Sequence, residues 1–175
     1  MHKVEADIDR VCRLRHPNLL GLHGYLLTPY NPAFFPPWSW SKSTTRSTSG
    51  YTLIILTDPV NAPTLESLLG LYGELRFDRA LPFFTQLVNA VEFLHSNNVV
   101  HRGIKPRAIW MGGADAGELK LGDAAWRQRL VDLNKADPWV VAPAEKRPDS
   151  WLCQEAILEP FVYDRARDMF ELGTS

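Results

Sequence analysis

The stretch FDRALPFFTQLVNAVEFLHSNN, residues 77–98, restricts the fold more than any other part of the chain. Leu81, Phe84, Leu87, Val88, Val91 and Leu94 recur at steps of three and four, the period of a helix with one buried stripe. Asp78 is placed to cap its start. Pro82 comes early enough to be tolerated or to bend the first turns, and Asn97-Asn98 ends the helix.

Shorter signals surround this helix. Val4, Ile8, Val11 and Leu14 predict an amphipathic helix over 2–15, stopped ahead of Pro17 because a residue before proline avoids helical dihedrals. LLGLHGYLL (19–27) and YTLIILTDPV (51–60) read as strands. The run Leu53, Ile54, Ile55 and Leu56 predicts burial on both faces of the second strand. TLESLLGLYG (64–73) predicts a short helix capped by Thr64 and closed near Gly70 or Gly73. The Gly-rich turn GGADAG (112–117) predicts a hairpin between VVHRGIKPRAIWM and ELKLGDAAW. Residues 127–150 read as loop, 151–160 as holding one helical turn, and 163–175 as the start of another helix. Residues 28–50 are rich in Pro, then in Ser and Thr, a composition that cannot bury a core of its own. The expectation there is a disordered insertion, tolerated because loop-closure cost grows slowly with length. Phe34, Phe35, Trp38 and Trp40 are its aromatics available for docking.

The 175 residues suit one domain, and 45% hydrophobic with 22% charged residues is a globular profile. A formal net charge of −1 gives no general attraction to nucleic acid or to an anionic membrane. Cys12 and Cys153 lie far apart without metal-ligand spacing and read as free thiols. No stretch approaches the roughly 20 apolar residues of a membrane helix, and the charged N-terminus has no signal-peptide core. The expected location is cytoplasmic.

HRGIKPRAIW (101–110) has the frame of a catalytic loop. It stands in an ordered series: RLRHPNLL, two strands, a short helix, a long helix ending in FLH, then VVHRGIKPRAI, LKLGDAAW, WLCQE and RARDMFELG. In that order and spacing the chain closely resembles the eukaryotic protein kinase family, over nearly its whole length apart from 28–50. The resemblance implies an α+β, two-lobed fold, present in part: the end of the small lobe and the first half of the helical large lobe. Against the family, the chain starts within the small-lobe helix, after the glycine-rich loop and the strand lysine. It stops where the central helix begins, so a partial domain over 1–175 is expected.

The same resemblance assigns roles. LTDPVNAP is the hinge where a nucleotide's adenine packs, with Thr57 near the gatekeeper position and Asp58 beside it. Asp123 is the magnesium ligand of the Asp-Phe-Gly motif, here followed by Ala124 and Ala125. Gly103 stands where the catalytic aspartate should be and Ala108 where an asparagine should hold a second magnesium. Lys105, which faces the transferred phosphate in the serine/threonine class, is retained. Asp7 falls at the helix glutamate that pairs with the strand lysine, with Glu5 the weaker candidate. His101 is a packing residue, Arg102 the partner of a phosphorylated activation loop, and Asp168 the central-helix aspartate that bonds the catalytic-loop backbone. Glu155 is the anchor of the activation segment. Plainer readings exist for several: Asp123 as a turn residue, Lys105 as a solvated charge, His16 and His95 as structural, Trp139 and Trp151 as core residues, and Arg102 as a packed, hydrogen-bonded side chain.

Phosphoryl transfer needs positioning and charge neutralisation, and a positioned base alone is worth roughly 10²–10⁴ in rate. Glycine at 103 and alanine at 108 supply neither base nor metal ligand. Ser150 is the only hydroxyl between Asp123 and Glu155, which leaves one candidate for activation-loop phosphorylation. The expectation is a catalytically inactive pseudokinase. It would act as scaffold or allosteric regulator of a protein partner, an active kinase domain in the same or another chain. Two alternatives stay open. One is a divergent active serine/threonine kinase that uses Asp115 or Glu118 as the base. The other is a nucleotide-binding module without catalysis. No cofactor is required on the first reading; ATP and magnesium are allowed by the hinge and Asp123. RLRHPNLLGLHGYLL, TLESLLGLYGEL and the long insertion also resemble the inactive kinase-like domain of the amino-acid-starvation eIF2-alpha kinases.

Overall fold

The computed structural model describes residues 2–29, 51–112, 117–124 and 164–174. Its elements run α1 (His2–Cys12), β1 (Leu22–Pro29), β2 (Tyr51–Thr57), α2 (Leu65–Tyr72), α3 (Phe77–Ser96), a 3-10 turn (Pro106–Ala108), β3 (Ile109–Gly112), β4 (Glu118–Leu121) and α4 (Arg165–Thr174). Two antiparallel pairs form, β1 with β2 and β3 with β4, in an α+β arrangement. The expected insertion at 30–50, the loop at 127–150 and the helical turn at 151–160 lie outside the described residues.

The core is built from both halves. Ile8 and Val11 of α1 meet Leu19 and Leu22, while Leu87, Ala90, Val91 and Leu94 of α3 pack under Ile109, Met111, Leu119 and Leu121 of the hairpin. The 18–22 segment links the halves: Leu20 N–H donates to Leu121 O at 2.9 Å and Leu121 N–H to Asn18 O at 2.9 Å. Gln86 of α3 closes the same junction, its Oε1 accepting from Asn18 Nδ2 at 2.9 Å and from Leu119 N–H at 2.8 Å.

Several expectations needed correction. α1 ends at Cys12, because Arg13 and Leu14 switch to tighter bonds with Arg10 and Val11 and the Arg15 guanidinium takes the Cys12 carbonyl at 2.7 Å. β1 starts at Leu22 rather than at 19, since Leu19 and Leu20 pair with Leu121 instead. Burial on both faces of β2 is not found: Ile54 is 45% and Leu56 65% exposed. Ile55, between them, packs against the core, so this strand has one covered face. Asp78 does not cap α3. The cap position is Arg76, which makes no side-chain cap bond and instead pairs with Asp78 at 3.2 Å on the surface. Leu81 and Phe84 are about half exposed, so the buried stripe of α3 begins at Leu87. The hairpin strands are shorter than expected, because 101–108 forms loop and a 3-10 turn rather than strand. Thr64 does cap α2, its Oγ1 accepting from Ser67 N–H, and Gly73 at φ 84° closes that helix.

Candidate functional site

The centre of the molecule is the loop from Val99 to Ala108. α4 holds it from below through one aspartate. Asp168, 0% exposed, accepts from His101 N–H at 2.6 Å and His95 Nε2 at 2.9 Å through Oδ2, and from Arg102 N–H at 2.8 Å through Oδ1. One turn further on, Glu171 accepts from Ile104 N–H at 2.9 Å and from Arg167 Nε at 3.3 Å. Two carboxylates three residues apart on one helix face thus satisfy three backbone donors of a buried loop. Glu171 was missed from the sequence; its i, i+3 spacing from Asp168 was the available signal.

His101 ties this loop to the end of β4. Its Nε2 lies 2.8 Å from Gly122 O, and since a carbonyl only accepts, Nε2 carries the proton. The flanking residues Arg102 and Asp123 both take left-handed backbones, φ 69° and 62°. Such conformations cost non-glycine residues on the order of 1–3 kcal/mol each and persist only where the surroundings enforce them. Asp123 lines a cavity of about 30 Å³ with Val11, Leu14, Leu22, Thr57 and Ala124. That is room for about one water. The buried Ala124 methyl lines this small cavity among the described residues.

Arg102 reaches the small-lobe helix. Its Nη1 donates to Asp7 Oδ2 at 3.0 Å, with the two side chains 12% and 22% exposed. The guanidinium that the family resemblance assigns to a phosphate is paired here with a carboxylate of α1.

Gly103 lies between these anchors, and a Cβ built there meets nothing within 4 Å among the described residues. Ala108 is buried, its N–H on Lys105 O at 2.8 Å and its carbonyl accepting from Gly122 N–H at 2.8 Å. Lys105 precedes the 3-10 turn and is half-buried. Glu118 sits at the far end of the hairpin opposite Gly112, while Leu121 at the near end pairs Ile109. Three residues of strand, roughly 10 Å at about 3.4 Å each, separate it from the loop. Asp115, Ala125, Trp139, Ser150, Trp151, Cys153 and Glu155 lie outside the described residues.

At the hinge, the Asp58 carboxylate turns back onto β1. It accepts from His23 Nε2 at 2.7 Å and Gly21 N–H at 2.9 Å, and these bonds, the histidine's first, hold its pKa below the usual carboxylate value. Asp58 N–H donates to Gly21 O at 2.9 Å and Thr57 Oγ1 donates to Asp58 O at 3.0 Å. Ahead of β1, His16 stacks on Phe93 of α3 and its Nδ1 accepts from Asn18 N–H at 3.2 Å; burial holds its pKa below the ordinary value. Cys12 is a free thiol whose pKa is raised, first by burial and then by Asp9. Among the described residues no cluster of three or more His, Cys, Asp or Glu is arranged to hold a metal. No described helix is long and apolar enough to cross a membrane.

Similarity to known proteins agrees with this geometry. Aurora kinase A-A of Xenopus laevis is 28% identical over 98% of this chain, which covers 35% of that protein. CBL-interacting serine/threonine-protein kinase 16 of Arabidopsis thaliana is 29% identical over 70% of the chain and 21% of its own length. The chain thus spans about a third or less of the curated relatives it matches. Its fold matches a crystal structure of Rad53 1-466 in complex with AMP-PNP at a TM-score of 0.65, covering 99% of this chain and 36% of that one at 17% identity. The family model described as protein tyrosine and serine/threonine kinase matches residues 42–175, and the chain belongs to that family.

Proposed function

We propose that this chain is a kinase-family domain that does not transfer phosphate and works by binding a protein, with an active kinase domain in the same or another chain as its partner. One observation carries the reading: the N–H groups of His101, Arg102 and Ile104 are anchored on carboxylates, yet position 103 presents no side chain where the described residues leave room for one. The methyl groups at 108 and 124 supply no metal ligand and no switch residue. Asp123 and Lys105, which remain, supply charge without a base. The setting for such a role is the cytoplasm. The starvation-kinase relation rests on the sequence motifs alone, since the relatives named above are Aurora and CBL-interacting kinases.

The test is phosphate transfer from ATP by the intact protein to a generic serine/threonine substrate and to itself. No turnover is expected. Turnover abolished by Lys105→Ala would refute the reading. A second reading, an active serine/threonine kinase, is supported by the retained Lys105 and by the left-handed Asp123 facing the cleft. On that reading Gly103→Asp alters an existing activity little. On the first reading the wild type is inert, and any activity appears only when Gly103→Asp is combined with Ala108→Asn.

A further inference from the structure

We propose that the Trp110 indole, set against Gly122 and beside the hinge, takes space that a nucleotide's base would need, so that this chain does not bind ATP. The hairpin presents two faces. Ile109, Met111, Leu119 and Leu121 are buried, and the alternate positions Trp110 and Gly112 lie opposite Lys120 and Glu118. Gly122 continues that second face immediately before Asp123.

The indole lies flush against Gly122. A Cβ at 122 would sit 3.2 Å from Trp110 Nε1, 3.5 Å from its Cδ1 and 3.4 Å from Leu20 Cδ2. Glycine at 122 therefore provides the room that the indole uses. Trp110 also borders a cavity of about 140 Å³ lined by the hinge residues Pro59 to Ala62 together with Gly112, Glu118 and Lys120. The strand is pinned to that hinge by Met111 N–H on Pro63 O at 2.9 Å and by a bridge between Thr64 and Trp110. The ring thus lies against the residue before Asp123 and shares a cavity with the hinge.

Two further observations agree. Part of the hinge backbone has no donor to give a base: Asp58 N–H is used by Gly21 O, and Pro59 has none, so a donor could come only from Val60 to Ala62. The cavity lined by Asp123, about 30 Å³, and the one lined by Trp110 and the hinge, about 140 Å³, are both below the roughly 300–1,000 Å³ of small-molecule sites.

The inference goes beyond the non-catalytic reading and rests on it, because a working kinase must admit ATP. Adenosine separates base exclusion from loss of metal or phosphate contacts, so binding of adenosine and of ATP with magnesium is measured by calorimetry on the intact protein. The wild type is expected to bind neither up to millimolar concentration. Trp110→Leu and Trp110→Met are expected to gain at least tenfold in adenosine affinity; two variants guard against a folding failure in one. Gly122→Ala is expected to lower the melting temperature, and Trp110→Leu in the same chain to restore most of the loss. Saturable adenosine binding by the wild type overturns the proposal, as does failure of both folded variants to bind. Wild-type binding without turnover would overturn this proposal and leave the non-catalytic reading standing. Turnover would overturn both.

Discussion

Replacing Asp168 should cost more stability than any other single polar change near the loop. Its carboxylate, 0% exposed, accepts from two backbone N–H groups and from His95 Nε2 at 2.6–2.9 Å. Hydrogen bonds to a charged group are worth about 1.5–3 kcal/mol each, and a buried donor left without a partner costs about 1–3 kcal/mol. Asp168→Ala orphans the N–H groups of His101 and Arg102, and the three bonds share one acceptor, so their losses do not simply add. An expected loss of about 3–6 kcal/mol follows. A domain holds about 5–15 kcal/mol in total, so this is a large fraction. With a urea slope near 2 kcal/mol/M, the midpoint should drop by about 2 M. Asp168→Asn keeps one acceptor and turns an amide N–H₂ toward the other donor, so it should lose less than alanine. His95→Leu removes one bond only and should lose least. Urea unfolding followed by circular dichroism gives all three. A loss below about 1 kcal/mol for Asp168→Ala, or an order in which His95→Leu is worst, would refute the claim that this carboxylate holds the loop.

Arg102 and Asp7 should be coupled across the two halves. In a double-mutant cycle with Arg102→Met and Asp7→Asn, a pair this well covered should show about 1–3 kcal/mol of coupling energy, and near-zero coupling would show that this pair does not help to hold α1. Gly103→Asp should leave stability unchanged or raise it by about 0.4–1 kcal/mol, because the site is open and its backbone is not left-handed; urea midpoints decide. His16 gives a pH dependence. Burial depresses its pKa in the folded state, so its contribution is present above the unfolded value of about 6.5 and is lost as pH falls through the folded value. Protonation at Nδ1 also removes the acceptor of Asn18 N–H. The stability difference between wild type and His16→Phe should therefore shift against the wild type between pH 7.5 and 5. A pH-independent difference would show that the ring is held by stacking on Phe93 only.

What could be read from the sequence depended on how local the cause was. The α2 cap at Thr64 and its stop at Gly73 follow from neighbouring residues, and both occur. The kinase-like fold was legible because several short motifs kept their order, and the loop's bond to Asp168 came with that order. Burial in β2 was misread because a run of Leu and Ile reports capacity to be covered, not what covers it. Leu81 and Phe84 failed for the same reason: their period is helical, but the core contact begins only at Leu87. Trp110 carried no local signal. Its place beside Gly122 depends on the register of β3 with β4, which sets two residues twelve apart in sequence on one face.

The anchoring of the loop is no argument for activity. Val99, Ile104, Ala108 and Ile109 are core residues, and His101 is buried between Asp168 and Gly122. The segment cannot relax without exposing that core and orphaning its N–H groups. Folding alone is enough to retain Asp168, Glu171, His101 and the left-handed Arg102. The positions that folding does not constrain are the informative ones. At 103 the described surroundings would admit an aspartate and the chain has glycine; at 124 a buried methyl lines the small cavity beside Asp123. At 122 a glycine makes space that Trp110 uses. A substitution that neither relieves strain nor fills a void is free to follow function. Gly103 is the position in this site where the fold is indifferent and only the chemistry would require a side chain.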